Sequence, residues 1–142
     1  MYELSVEVWR ATHAGPASRD FDFRREVRDA SDSAHRNVAE GFGRYSPPQF
    51  LQFLDLARAS AQETRALLRK GLIVGYLTED QFAQLDILAA RGLQSLAKLQ
   101  RYLRTPEARR NAERHRHRRQ ADRGTSPSTP APDVSSDLDE AG

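Results

Sequence analysis

The sequence predicts an all-α protein: an antiparallel up-down four-helix bundle with a short first helix and a disordered C-terminal tail. Three observations predict it. Apolar residues recur at three- and four-residue steps through long stretches before residue 104. Residues that start and stop helices punctuate those stretches at short intervals. No segment alternates as a half-buried strand does, and no internal repeat is evident. The expected organisation is a bundle over residues 1–104, a basic extension over 105–123, and an acidic Ser/Pro-rich tail over 124–142.

The first helix is expected over residues 4–14, with Val6, Trp9 and His13 on one face and Gly15-Pro16 as its stop. About three turns is marginal for an isolated helix, so it must dock, and Trp9 is the natural anchor. The second helix begins near Asp20 or Asp22, either of which can cap free backbone N–H groups. Phe23, Val27, Ala30, Ala34, Val38 and Phe42 form its apolar stripe; Arg24, Arg25, Arg28, Asp29, Asp32 and Arg36 lie on the other face. Ser46 caps the third helix and Pro47 takes its first position, where a missing N–H costs nothing. That helix carries Phe50, Phe53, Leu54, Ala57, Ala61, Thr64, Leu67, Leu68 and Leu72, and ends around Gly75. Thr78 and Gln81 make a capping box for the fourth helix, which runs to about Arg104. Short connections make helices two, three and four antiparallel neighbours. The basic extension either continues as a solvated helix or stays loose, and the composition of the last segment predicts disorder.

A chain of 142 residues fits one modest domain with appendages. A core of this size buries roughly 60–65% of the surface its unfolded chain exposes. The absence of cysteine excludes a disulfide framework, a thiolate zinc site and a cysteine nucleophile. No apolar run approaches the roughly 20 residues of a membrane span, so no membrane association is expected. The N-terminus lacks the basic and apolar regions of a signal peptide, and a cytoplasmic location is expected. Net charge is only +2, yet the basic side is 20 arginines against 2 lysines. Their distribution says more than their total.

The joint between helices two and three is Asn37-Val-Ala-Glu-Gly-Phe-Gly-Arg44, with Asn37, Glu40 and Arg44 at steps of three and four. With Val8-Trp9, Phe50, Phe53-Leu54, Ala57-Arg58, Ser60, Glu63 and Gly75-Tyr76, it gives the chain a resemblance over about residues 4–104. The chain resembles the small four-helix-bundle family that includes the proteins encoded by intervening sequences in 23S ribosomal RNA genes. The resemblance implies an up-down bundle that assembles into a homo-oligomeric ring, typically a pentamer, with no known catalytic activity. A related branch contains the accessory protein of diversity-generating retroelements, which looks like a basic pentameric barrel that binds nucleic acid and a reverse transcriptase. By that analogy a reverse transcriptase or another protein partner is implied here. The chain departs from the family pattern in a first helix about ten residues shorter, in Asp32 at an apolar position, and in His35 and Arg36 before Asn37.

Asn37, Glu40, Arg44, Arg58 and Glu63 are the most site-like set, and the resemblance puts their positions at the inner end of the bundle. Two carboxylates near two arginines can do acid–base work. The preferred reading is a structural polar network in which Glu40 and Glu63 pair with Arg44 or Arg58. A nucleophile, an oriented histidine and an oxyanion donor set do not form a recognisable group, so no catalytic residue and no enzyme is expected. His115 and His117 lack a third ligand at useful spacing, so no metal is expected. Gly41-Phe-Gly43 lacks the strand and pattern of a phosphate loop, and no cofactor is expected. The better lead is Arg109, Arg110, Arg114, Arg116, Arg118 and Arg119, with Arg24, Arg25 and Arg28 as a second patch. Such a run can neutralise RNA or DNA phosphates and release counterions. The alternative is a structural or protein-partner scaffold without nucleic-acid affinity, whose arginine run is merely solvated. The acidic end, Asp133 to Glu140, can also fold back on the arginines and compete.

Overall fold

The computed structural model describes residues 1–44 and 46–124. Among these the chain forms α1 (Tyr2–Ala11), a 3-10 turn (Pro16–Ser18), α2 (Phe21–Gly43), α3 (Pro47–Ile73), α4 (Glu79–Leu103) and α5 (Pro106–Gly124), with no strand. The acidic segment 125–142, for which disorder is expected, lies outside the described residues.

Local chemistry sets the helix ends. Asp20 caps α2, its Oδ1 accepting from the Phe23 N–H at 2.9 Å. Thr78 and Gln81 close the capping box at the start of α4. Ser46 stands at the N-cap of α3 with Pro47 behind it. Gly75 has φ of 79° and ends the α3 exit: its N–H bonds Leu72 O (3.1 Å) and the Tyr76 N–H bonds Gly71 O (2.8 Å). A residue with a Cβ is disfavoured in that left-handed conformation. Thr105 turns the chain between α4 and α5, its Oγ1 accepting from the Ala108 N–H at 3.2 Å ahead of Pro106. The basic extension is therefore a helix of its own, not a continuation of α4. The joint is helical as well, since α2 runs through Gly41 to Gly43.

α1, α2, α3 and α4 pack as a ring of neighbours: α1 on α2, α2 on α3, α3 on α4, and α4 back on α1. Residues meet in opposing order along each pair. Phe23 reaches Gly71, Ser33 bonds Ser60 (2.9 Å), and Phe50 and Phe53 reach Gly41. Arg65 bridges to Asp86, and Gln100 donates to Asp55 at 2.8 Å. The core has two parts. Leu4, Val8, Phe23, Val27, Leu68, Leu77, Leu85 and Ala89 form one, reached by all four helices. Leu54, Ala57, Leu96 and Leu103 form the other, towards α5. Among the described residues, Met1 reaches the second part from the N-terminal side, since ten residues give α1 about 15 Å where α3 spans about 40 Å.

Trp9 is not the core anchor the sequence suggested. The buried face of α1 is Leu4, Ser5, Val8 and Thr12; Trp9 is 46% exposed and His13 is exposed. The reason is polar. Asp32 of α2 takes hydrogen bonds from Ser5 Oγ and Trp9 Nε1, and the Arg28 guanidinium lies 4.0 Å over the indole. Docking through the Asp32 carboxylate holds the indole at the rim. Phe42 ends the α2 stripe past the last core layer and stands exposed.

Candidate nucleic-acid interface

α5 is the most basic surface of the described chain. Arg109, Arg110, Arg114 and Arg118 are exposed on it, as are His115 and His117. The side chains of Arg116 and Arg119 lie outside the described residues. Among the described residues of α5, Ala108 is buried, set against the ends of α3 and α4. A helix of this composition holds its guanidinium groups in water, where phosphates can reach them. Arg114 donates to Asn111 Oδ1, and Asn111 Nδ2 donates to the Tyr102 hydroxyl at 2.9 Å, so α5 is fixed to the end of α4.

The second patch is elsewhere and is differently engaged. Arg24, Arg25 and Arg28 lie in the first turns of α2, roughly 25 Å along its axis from the end where α5 starts. Arg24 donates to Ser18 O (3.1 Å), and Arg25 pairs with Asp22 (3.2 Å). Arg28 donates to Thr12 Oγ1 (2.8 Å) and covers Trp9. Desolvation, then repulsion from Arg24, hold Arg28 below its ordinary basicity. Arg24 bonds the 3-10 turn and Arg28 the α1–α2 contact, and the structure does not bring these arginines to α5.

The set around the joint divides in the same way. Glu40 pairs with Arg44 within α2, both exposed, and the Arg44 guanidinium sits 5.3 Å over the Phe53 ring. Asn37 donates to Ser33 O (2.9 Å) and Ser33 Oγ (3.2 Å), next to the Ser33–Ser60 bond. Arg58 and Glu63 stand exposed on α3. The α2–α3 contact thus includes the Ser33–Ser60 bond and the close approaches at Gly41 and Gly71. Among the described residues, α3 and α4 are linked by the two-pronged Arg65–Asp86 ion pair, at 2.6 and 2.8 Å. It holds Asp86 below the usual carboxylate range and raises Arg65, in each case mainly through the hydrogen bonds. Its residues are 21 apart in sequence and on separate helices, so spacing gave no sign of it. Among the described residues no group of three His, Asp or Glu converges on a metal position, and no helix is long and apolar enough to cross a membrane.

Fold and surface together define a small helical-bundle protein with an arginine-rich helix mounted on one end. The bundle itself fixes the family: residues 1–98 match the model of the 23S rRNA-intervening sequence protein family, and the chain belongs to it. No curated protein and no solved structure matches the chain. The family match ends before α5 begins.

Proposed function

We propose that this protein is a non-catalytic, nucleic-acid-associated homo-oligomer that holds RNA or DNA backbone through the arginines of α5. One observation carries the reading: Arg109, Arg110, Arg114 and Arg118 stand exposed on a helix mounted at the end of the bundle. Four guanidinium groups on one helix release several counterions on contact with phosphates, which gives affinity without sequence choice. Exposed Leu56 on α3 and Ile87 on α4 support an assembly, for which the family resemblance suggests a pentameric ring. A ring would present several copies of α5 at once and turn weak single contacts into strong joint ones. The reading places the protein in the cytoplasm, in keeping with its lack of cysteine.

The test is electrophoretic and anisotropy binding of generic RNA and DNA by the full chain and by a variant with Arg109, Arg110, Arg114 and Arg118 all changed to Gln. The variant should lose most of the binding and keep its helical content. Undiminished binding would refute the role of α5. Absence of binding by the unmodified protein at low salt would favour a protein-partner scaffold.

A further inference from the structure

An apolar groove opens at the end of the bundle where α5 leaves it. Phe42, Phe50, Tyr102 and Leu103 wall it, Ala108 and Ala112 line it from α5, and it encloses about 370 Å³. That is within the range of small-ligand sites. Two of its rings reach into water: Phe42 is 75% exposed and Tyr102 is 42% exposed. Phe42 meets Phe50 edge-on, with centroids 6.2 Å apart. Exposed rings beside a groove are costly to leave uncovered.

The rim is polar and basic. Asn111 links the Tyr102 hydroxyl to Arg114, so one amide positions a ring of α4 and a guanidinium of α5 together. His115 lines the same groove. Lining positions 108, 111, 112 and 115 recur at helical spacing, and Arg109 and Arg114 flank that stripe by about 100° of helix turn on either side. Residues 104–118 hold six arginines against two glutamates. A purely apolar partner has no use for that field. A polyanion with flat π faces uses both the rings and the charge.

We propose that this groove seats an unpaired base of a single-stranded nucleic acid while the α5 arginines hold the adjoining phosphates. The proposal rests on the nucleic-acid reading above and narrows it to single strands. Every base has a π face that an aromatic ring can stack on, so the groove adds affinity without demanding a sequence. The Tyr102 hydroxyl, the Asn111 amide and the His115 imidazole are placed to bond a base edge. A base within a duplex is already stacked on both faces, so a duplex engages only the arginines.

The experiment compares three probes at fixed salt by anisotropy with the full chain: a single-stranded RNA, its duplex, and an abasic strand of equal length. Phe42→Ala and Tyr102→Ala should each weaken single-strand binding by about fivefold or more, the lower end of one stacked base. For Phe42→Ala, duplex and abasic binding should be unchanged, and Phe42→Trp should preserve the single-strand preference. A 2-aminopurine in the single strand should be quenched by the unmodified protein and not by Phe42→Ala. Phe42 is exposed, so its variant should melt like the parent. Equal weakening on all three probes, or none on the single strand, would overturn the inference. A fall in light-scattering mass of Phe42→Ala would assign the groove to a contact between copies and overturn it too. If the unmodified protein binds none of the three probes, the backbone reading fails first.

Discussion

Two glycines two residues apart in the joint should respond to alanine in opposite directions. A Cβ at Gly41 would stand 2.6 Å from Phe50 Cδ2 and 2.7 Å from Phe53 Cβ. Comfortable carbon contacts lie at about 3.5–4.0 Å. The Phe50 ring can swing aside, but Phe53 Cβ is fixed to the α3 backbone, so α2 and α3 must separate. Overpacking of this kind costs about 1–3 kcal/mol. Alanine gains about 0.5–1 kcal/mol over glycine within a helix, which offsets only part of that. Gly41→Ala should therefore lose about 1–2 kcal/mol net. At Gly43 a Cβ would meet nothing within 4 Å among the described residues. Gly43→Ala should gain about 0.5 kcal/mol, the lower figure because it ends the helix. Urea unfolding followed by far-ultraviolet circular dichroism reads both changes. With a slope of about 1–3 kcal/mol per molar, Gly41→Ala lowers the midpoint by roughly half a molar or more, and Gly43→Ala raises it slightly. A Gly41→Ala protein at least as stable as Gly43→Ala would show that α2 and α3 do not approach closely at the joint.

Other consequences are open to the same assay. Leu4→Ala should cost about 2–5 kcal/mol as a fully buried truncation. Trp9→Ala removes a half-exposed ring and its contact with Arg28, and should cost only about 2 kcal/mol; a loss larger than that of Leu4→Ala would put the indole in the core. Thr78→Ala deletes a capping box and should cost about 1 kcal/mol, while a change near zero would mean that the start of α4 frays. Tyr76 donates to Asp20 Oδ2 at 2.6 Å, and that bond, then the Phe23 N–H, hold Asp20 below the usual carboxylate range. A depressed folded value gives stability that is present above the unfolded value and lost as pH falls through the folded one. Tyr76→Phe should thus be less stable than the parent at neutral pH, with the gap closing on acidification. A gap that does not depend on pH would discount the Asp20–Tyr76 bond.

Much of the bundle was legible because its punctuation is local. Asp20, Pro47, Gly75 and the Thr78–Gln81 box each act within a few residues, and each stands at the helix end its chemistry predicts, while Ser46 stands at its N-cap position without a side-chain capping bond. Thr105-Pro106 obeys the same grammar as Ser46-Pro47, and it starts α5 where the sequence alone left a helical or loose extension. What was not legible depends on partners far along the chain. The face of α1 is turned by Asp32, which accepts from Ser5 and Trp9. Periodicity over ten residues cannot resolve that rotation, and the size of Trp9 pointed the wrong way. Arg24 and Arg28 look like free cations in sequence, yet they bond Ser18, Thr12 and Trp9. The groove at Phe42 and Tyr102 joins residues 60 apart, and only packing reveals it.

The most direct measurement of the central claim is the affinity of the full chain for a single-stranded RNA across a salt series, with the mass of the same sample taken by light scattering. Four exposed α5 arginines engaging phosphates predict a log–log slope of about −3 per protomer on a single strand. The account predicts that slope from a defined oligomer, and a clearly shallower slope once Arg109, Arg110, Arg114 and Arg118 are changed to Gln. Tight binding that ignores salt, or a slope that survives the fourfold change, would contradict it.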